Sequence, residues 1–528
     1  NALQELSEID AAEFSYKQTI KLRPDYSEAH FNFGNMLKIQ QRLEEAAVSY
    51  RKAIATNSDY AEAYNNLGCV LVGLRKHEEA ESACRQALAL KPNFAEAYYN
   101  LANALQELKN PPAEAAYFMC KLLDREKAAR PQSISGTAIN LIKSDPIMVP
   151  ILDTFHARKP SLSDLINELS KIPLLLKLMS VCPISDLQIE QILQYVRAQV
   201  LLNICMLKVN ERILTFQMNL ALQCFTNEYL YEETLAETEA IEDLENVIEN
   251  KLISNREPDP TELACLASYR PLYLFSWATK ISAPAGLGEL FCRQVSEPQK
   301  ERALKSKIAV LSKIRRMVSS KVREQYEENP YPRWINLGLA FNPLSISLRT
   351  QQLQLKLFSE SVLDVMAPKI LVAGCGTGRH SIETARAFKN CEVCAVDLSL
   401  SSLAYAKRKT DEFGIKNIEY MQADILDLEK LGQKFDIIES SGVLHHMADP
   451  MAGWKVLVDC LKPNGLMRIG LYSELGWQDI IKIREEIKEL NVKSDSLSMK
   501  LFRSYLCDSK KKHHQNMLAS TDFYSLSD

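Results

Sequence analysis

Residues Ile370–Gly378 read ILVAGCGTG, an apolar run followed by glycines at every second position. The apolar run predicts a buried strand, and the pattern of the next residues predicts a helix over 380–388. Glycines at Gly374, Gly376 and Gly378 let the backbone turn sharply and approach a ligand closely, because no Cβ stands in the way. The stretch therefore predicts a strand–loop–helix unit with a ligand at its loop.

The spacing of the glycines bears on which ligand this loop holds. A dinucleotide-binding loop prefers G-x-G-x-x-G, whose third glycine would fall at the position of Arg379. The form G-x-G-x-G instead favours S-adenosylmethionine. A domain that binds a nicotinamide dinucleotide, or one that binds no cofactor, is the alternative interpretation.

Two aspartates follow the next two predicted strands. Asp397 ends the run EVCAVD, 19 residues beyond Gly378, where a carboxylate can accept hydrogen bonds from both ribose hydroxyls. Asp424 follows the strand Ile418–Met421, where the amino group of an adenine could donate to it. The carboxyl ends of parallel strands meet at one edge of a sheet, so we expect both carboxylates at the same edge as the glycine loop.

Short apolar runs alternate with helical stretches from residue 366 onward, which predicts βα units and a parallel sheet. The glycine loop, the two aspartates, VLHH and the turn LKPNG resemble, in this order, the class I S-adenosylmethionine-dependent methyltransferases of the type 11/12 group, over residues 366–475. The resemblance implies the following cofactor contacts: Gly374, Cys375, Gly376 and Gly378 for the methionine part, Asp397 for the ribose, Asp424 for the adenine, and Ser440 for the sulfonium side.

His445 and His446 follow the fourth predicted strand, near the place where the resemblance puts the methyl group. An imidazole is suited to proton removal near neutral pH, so both are candidate catalytic bases. The alternative is that they cap the next helix or fix the loop. Cys391 and Cys394 form the only CxxC in the chain, with no second pair beside it, and we predict no metal site.

Self-similarity at a period of 34 residues marks the N-terminal region. The triplets that begin at Asn1, Asn35, Cys69 and Asn103 are each separated by that period, which predicts stacked helix–turn–helix units. Residues 61–94, AEAYNNLGCVLVGLRKHEEAESACRQALALKPNF, resemble the tetratricopeptide repeat. Concave repeat surfaces dock peptides and proteins, so the resemblance implies a protein or peptide partner.

The predicted organisation is multidomain. An all-α repeat solenoid occupies residues 1–128, an all-α middle domain 129–325, a linker or lid 326–365, and an α/β Rossmann-like methyltransferase domain 366–528. The acidic stretch Glu232–Glu249 is expected to be the solvated face of a helix. The last two strands of the methyltransferase sheet are expected to lie beyond Asp528, because helical patterns fill residues 478–528; with Asn1 inside a repeat, we expect a piece of a longer protein.

The segment Tyr326–Trp334, YEENPYPRW, is aromatic and stiffened by proline. Its prolines do not match the NPPY pattern of DNA methyltransferases, and it follows a predicted helix instead of a strand. We therefore interpret it as a linker or a lid over the cofactor or substrate.

The overall composition of the chain indicates which classes of binding partner to expect. The 528 residues carry 63 Lys and Arg against 67 Asp and Glu, a net charge of −4 that gives no general attraction to nucleic acid or to an acidic membrane. The most apolar stretches fall well short of the roughly 20 residues that span a membrane. Thirteen scattered cysteines favour a reducing compartment, and we expect a cytoplasmic protein.

The leading hypothesis is an enzyme that moves a methyl group from S-adenosylmethionine to an oxygen or nitrogen nucleophile, with the repeats recruiting a protein substrate or partner. One alternative is an adaptor whose methyltransferase-like domain binds the cofactor without turnover. Another is a methyltransferase for a small molecule or glycan, in which the repeats serve only assembly.

Overall fold

The computed structural model describes residues 9–108, 112–125, 127–157, 159–207, 210–314, 316–328, 330, 333–339, 343–493 and 495–525. These residues form two compact units. The first contains the chain up to Asp145 together with the short segment Asn336–Gly338, and the second contains Pro146–Ile335 and the chain from Leu339 onward.

The first unit is a series of helices with a fixed repeat. Helices that begin at Ser27, Ala61 and Ala95 are spaced 34 residues apart, as are those that begin at Leu43 and His77, which agrees with the period in the sequence. The helices are α1 (Ile9–Leu22), α2 (Ser27–Ile39), α3 (Leu43–Thr56), α4 (Ala61–Gly73), α5 (His77–Leu90), α6 (Ala95–Gln106), α7 (Ala115–Leu123) and α8 (Pro131–Lys143).

Small residues set how closely these helices pack. A Cβ on Gly34 would stand 2.7 Å from the Cε1 atom of Tyr50, and one on Gly68 would stand 2.5 Å from the sulfur of Cys84. Tyr50 and Cys84 are both fully buried, so neither neighbour has free space to move into. The glycine positions of the repeat are therefore fixed by packing between the paired helices.

The second unit begins with a helical region. Its helices are α9 (Met148–Thr154), α10 (Leu162–Leu169), α11 (Pro173–Val181), α12 (Leu187–Leu202), α13 (Glu211–Thr226), α14 (Leu235–Ile253), α15 (Pro260–Ala267), α16 (Gly288–Phe291), α17 (Glu297–Lys305) and α18 (Met317–Glu328). A 3₁₀ turn at Leu272–Leu274 and a π-helical turn at Cys292–Ser296 interrupt the series.

The acidic helix α14 differs in part from the expected solvated face. Thr234 caps it, and Glu237 completes a capping box by accepting a hydrogen bond from the Thr234 backbone. The Glu237 carboxylate is buried, where it accepts hydrogen bonds from Tyr269 at 2.7 Å and from Arg197 at 3.3 Å. One carboxylate of the acidic run therefore faces the interior of the helical region, where it bridges Arg197 and Tyr269.

A six-stranded parallel sheet follows, as predicted. The strands are β1 (Ala309–Val310), β2 (Lys369–Ala373), β3 (Glu392–Asp397), β4 (Ile418–Gln422), β5 (Phe435–Ser441) and β6 (Leu461–Gly470), in the spatial order β1-β4-β3-β2-β5-β6. Every neighbouring pair is parallel. The edge strand β1 comes from the segment ahead of the predicted methyltransferase domain, and the sequence did not indicate it.

The last strand begins earlier than the sequence suggests. Residues 461–465, LKPNG, were expected to form a turn, but Leu461 already pairs with Phe435. The next pair is Ile437 with Leu466, so two residues of β5 lie opposite five residues of β6. The extra residues of β6 form a bulge. Asn464 takes a positive φ of 61° in this bulge.

Helices cover the sheet and follow its last strand. They are α19 (Ile346–Gln352), α20 (Arg379–Ala387), α21 (Leu400–Glu412), α22 (Pro450–Asp459), α23 (Gln478–Glu489), α24 (Ser496–Asp508) and α25 (Lys512–Leu518), with 3₁₀ turns at Ser361–Asp364, Ile425–Leu431, Leu444–His446, Leu475–Trp477 and Thr521–Tyr524. Within the described residues after Gly470 no further strand occurs. None of the described helices is both long enough and apolar enough to cross a membrane.

The strand order creates a crevice at the carboxyl edge of the sheet. The neighbouring strands β2 and β5 lead in opposite directions, because the chain continues from β2 to β3 on one side and from β5 to β6 on the other. Ligands of open α/β sheets bind at such a point. The glycine loop leaves β2 at this place.

Candidate active site

The glycine loop adopts backbone conformations that only glycine takes easily. Gly374, Gly376 and Gly378 have φ values of 76°, 52° and 84°. A Cβ on Gly374 would stand 2.3 Å from Val443, and a Cβ on Gly378 would stand 2.4 Å from the Cβ of Ala406. The loop therefore packs tightly against Val443 and Ala406, which leave no room for a Cβ at Gly374 or Gly378.

Asp397, the predicted ribose contact, lies directly beside this loop. Its Oδ2 accepts a hydrogen bond from the Gly376 amide at 2.8 Å, and its Oδ1 accepts one from the Ser399 amide at 3.0 Å. Burial raises the pKa of the Asp397 carboxyl, while these amides act in the opposite direction. The structure brings this predicted residue and the glycine loop together.

Asp424, the predicted adenine contact, is buried at the end of β4 and already has several donors. Its Oδ1 accepts from the Leu426 amide at 3.0 Å, which begins the turn Ile425–Leu431. Its Oδ2 accepts from the Ser319 hydroxyl at 2.7 Å and from Arg316 at 3.1 Å. Arg316 also reaches Asp427 at 3.2 Å.

Ser440 and Cys375, the remaining predicted cofactor contacts, are both buried. Ser440 lies near the end of β5, and its hydroxyl finds no hydrogen-bond partner among the described residues. Cys375 directs its thiol to the Gly376 carbonyl at 3.8 Å, and burial raises its pKa well above the ordinary value. The thiol is therefore protonated and acts as a small apolar group of the loop.

These features fit a nucleoside-bearing cofactor. The Gly376 amide of the loop lies 2.8 Å from the Asp397 carboxylate, a group suited to ribose hydroxyls, at the carboxyl edge of the sheet. A buried hydroxyl without a partner is costly, so the Ser440 hydroxyl also suits a site that a ligand completes.

The two candidate bases lie in the 3₁₀ turn Leu444–His446 after β5. Their ring centroids are 4.2 Å apart, and the His445 ring lies 4.4 Å from that of Tyr472. Burial lowers the pKa of both imidazoles, and the charge of Arg484 acts in the same direction. A lowered pKa favours the neutral imidazole, which is the form that accepts a proton.

A separate residue caps the helix that follows the two histidines. Asp449 caps α22 by accepting hydrogen bonds from the amides of Met451 and Ala452, each at 3.0 Å. Both ring nitrogens of His445 lack a hydrogen-bond partner among the described residues. Helix capping therefore does not explain the two histidines.

The predicted linker or lid contacts the loop that follows Asp397. Glu327 accepts hydrogen bonds from the amides of Leu400 at 2.5 Å and Ser401 at 3.2 Å, at the start of α21. The Ser399 hydroxyl donates to the carbonyl of Tyr326 at 2.9 Å. Part of the segment, Asn329, Tyr331 and Pro332, lies outside the described residues.

Trp334 connects the same segment to the glycine loop. Its indole Nε1–H donates to the carbonyl of Thr377 at 3.2 Å, and its ring lies 5.9 Å from that of Tyr405. Trp334 is buried, and the Tyr405 hydroxyl bonds to its backbone carbonyl. The segment thus contacts both loops that would hold the cofactor.

Sequence reasoning missed Arg316, Ser319, Glu327 and Trp334 as individual residues of the site. The aromatic and proline content of YEENPYPRW marked that segment, but it did not indicate which loop each side chain meets. No sequence pattern marked Arg316 or Ser319 as part of a site, because a single arginine or serine near a predicted helix start is common.

Comparison with known families agrees with this geometry. The family model described as a methyltransferase domain matches residues 370–465. Models of the tetratricopeptide repeat match residues 34–74, 61–94 and 83–115. These matches confirm the predicted repeats, the predicted methyltransferase domain and its cofactor, S-adenosylmethionine.

Individual relatives cover only parts of the chain. An uncharacterized protein of Synechococcus sp. is 36% identical over 121 residues, 23% of this chain and 29% of that protein. The ubiquinone biosynthesis O-methyltransferase of Cereibacter sphaeroides is 31% identical over 145 residues, 26% of this chain and 56% of that protein. The chain thus spans less than two thirds of the length of either relative.

Among solved structures, PKMT2 from Rickettsia typhi in complex with AdoHcy is 27% identical. The match covers 29% of this chain and 31% of that one, with a TM-score of 0.24. On the family models, the chain contains tetratricopeptide repeats and a methyltransferase domain that uses S-adenosylmethionine.

Proposed function

We propose that the chain transfers a methyl group from S-adenosylmethionine to an oxygen or nitrogen nucleophile, and that its repeats recruit a protein substrate or partner. The observation that carries this proposal is the contact between Gly376 and Asp397, which joins the glycine loop to a carboxylate suited to ribose hydroxyls. The residues Gly374, Cys375, Gly376, Gly378, Asp397, Asp424 and Ser440 would hold the cofactor.

The bound cofactor supplies a methyl group already activated on a sulfonium. The chain has to hold the methyl donor in line with the acceptor and to exclude water from the crevice. The unpartnered hydroxyl of Ser440 lies at the end of β5, beside the turn that carries the histidines. Ser440 would position the cofactor from that side.

Proton removal falls to His445 or His446. Desolvation lowers the pKa of both imidazoles, which favours their neutral form, and both ring nitrogens of His445 lack a partner among the described residues. A neutral imidazole can take the proton from a hydroxyl or an amine as the new bond to carbon forms. The name of the Cereibacter relative specifies an oxygen acceptor, which favours oxygen over nitrogen in this chain.

The repeats favour a macromolecular partner. Stacked helix pairs with the 34-residue period form concave surfaces that bind peptides. We therefore infer that residues of the first unit bring a protein substrate or a partner to the methyltransferase, in a cytoplasmic setting.

One experiment tests the proposed reaction. The chain is incubated with S-adenosylmethionine and either a phenolic acceptor or a lysine-containing peptide, and the formation of S-adenosylhomocysteine is measured. We expect turnover with at least one acceptor class, its loss in Asp397→Ala, and its retention in Asp243→Ala, a variant on the exposed side of α14. Tight cofactor binding without turnover on any acceptor would favour the adaptor alternative.

A further inference from the structure

Helix α18 contacts the methyltransferase domain with none of its residues from Met317 to Glu328 fully buried. Val318, Val322 and Tyr326 are partly buried. Polar contacts hold the helix: the Ser319 hydroxyl bonds to Asp424 near its start, and Glu327 bonds to the amides of Leu400 and Ser401 near its end. A helix held mainly by polar contacts, with no fully buried side chain, exposes little apolar surface to water when it detaches.

Arg316, one residue ahead of α18, adds a charged attachment. One guanidinium nitrogen donates to Asp424 at 3.1 Å and another to Asp427 at 3.2 Å, so a single side chain bridges two carboxylates. The Arg316 side chain is 44% exposed, whereas those of Asp424 and Asp427 are only 3% and 10% exposed. The arginine therefore covers the carboxylates from the solvent side.

In this arrangement the Asp424 carboxylate is covered, so a ligand cannot reach it directly. Its carboxylate has about four lone-pair positions, and Leu426, Ser319 and Arg316 use three of them. With the arginine and α18 in place, almost none of Asp424 meets solvent. An incoming adenine amino group has no open path to this carboxylate.

We propose that Arg316 and Ser319 form a latch that keeps α18 closed over Asp424, and that the adenine of the cofactor reaches Asp424 only after this latch opens. The proposal rests on the proposed function, since it takes Asp424 as the adenine contact. Before the cofactor binds, the chain exchanges between a closed form, in which the latch covers Asp424, and an open form. Only the open form can bind the adenine. The apparent dissociation constant is then the intrinsic one divided by that open fraction.

The variant Arg316→Gln tests the latch, because it removes the cation and keeps a side chain of similar length. We expect Arg316→Gln to bind S-adenosylhomocysteine about 5-fold or more tightly than the wild-type chain in calorimetry. Hydrogen exchange of the amides of 317–328, measured without cofactor, should be faster in the same variant. Arg316→Lys should have a cofactor affinity and an exchange rate between those of the wild type and Arg316→Gln, since it keeps the charge but loses the bridge between the two carboxylates.

Two variants serve as matched controls. Arg323→Gln removes a cation from the same helix, where its partner is Glu324 at 3.8 Å. Lys430→Gln removes the other cation on Asp427, at 2.8 Å, and leaves Asp424 untouched. Both controls should bind cofactor as the wild type does.

Cofactor affinity that is unchanged or lower in Arg316→Gln, with the variant folded by its melting curve, would overturn the latch. If no protein in the series binds cofactor, the proposed function fails, and hydrogen exchange still decides whether Arg316 holds α18 closed. Unchanged exchange in Arg316→Gln would overturn the latch in that case too.

Discussion

The Gly376 amide donates a hydrogen bond to Asp397 Oδ2 at 2.8 Å, across the ends of neighbouring strands β2 and β3. This contact joins the loop that would hold the methionine part of a cofactor to the carboxylate that would hold its ribose. A change in either residue should therefore disturb both parts of the site.

Gly378→Ala should both destabilise the second unit and weaken cofactor binding. Gly378 has a φ of 84°, and a new Cβ would stand 2.4 Å from the Cβ of Ala406. We expect a loss of about 1–3 kcal/mol in the free energy of unfolding from strain at such a site. Gly414→Ala is the control, because Gly414 has a φ of 68° but no atom near its missing Cβ. Equal losses in the two variants would show that the contact with Ala406 is unimportant.

Replacement of the candidate base should slow turnover and change its pH dependence. If His445 or His446 removes the proton, the matching Gln variant should lose about 100-fold in kcat while cofactor affinity stays unchanged. Burial lowers both pKa values from 6.5, so the wild-type kcat should fall only when the pH drops below that value. A histidine whose replacement leaves kcat intact over pH 5–8 is not the base.

Trp334→Phe should weaken cofactor binding with little effect on the chemical step. The substitution removes the indole donor to the Thr377 carbonyl at 3.2 Å and so loosens the glycine loop. We expect KM for S-adenosylmethionine to rise severalfold with kcat nearly constant. Trp277→Phe is a matched control, because the Trp277 indole N–H has no partner among the described residues. A Trp334→Phe protein with wild-type KM would exclude this role.

Glu486→Gln should destabilise the packing of α23 against α25 at neutral pH. Although burial raises the pKa of the Glu486 carboxyl, hydrogen bonds from His513 and Lys511 hold it at about 2. A lowered carboxyl pKa stabilises the fold fully above the unfolded value of 4.5, and this contribution is lost as the pH falls toward 2.

Denaturant unfolding of the wild-type chain and Glu486→Gln at pH 7, 4.5 and 3 measures this contribution. The difference in the free energy of unfolding between the wild type and Glu486→Gln should be largest at pH 7 and should shrink as the pH falls. The exposed neighbour Glu485 provides the control variant Glu485→Gln, which should unfold as the wild type does. A difference independent of pH would contradict the assignment to the charge of Glu486.

Features set by short-range sequence patterns could be predicted. The glycine spacing fixes the turn after β2 and the period of 34 fixes the helix starts, because both depend on residues close together in the chain. Asp397 was predictable for the same reason, since it ends an apolar run at a set distance from the loop. The parallel sheet followed from the alternation of strand and helix patterns.

Features set by contacts between distant residues could not be predicted. Arg316 and Asp424 are 108 residues apart, and nothing in either local sequence marks the pair. Strand β1 has two residues, too few for a period to show. Glu237 lies in an acidic run typical of a solvated face, and its burial depends on Arg197 and Tyr269 from other helices.

Calorimetric binding of S-adenosylmethionine and S-adenosylhomocysteine to the wild-type chain and to Asp397→Ala tests the central claim most directly. We predict saturable one-to-one binding to the wild type and its loss in a folded Asp397→Ala protein, with Asp243→Ala binding as the wild type does. Absence of binding to the well-folded wild-type chain, or full binding to Asp397→Ala, would contradict the assignment of this crevice as the cofactor site.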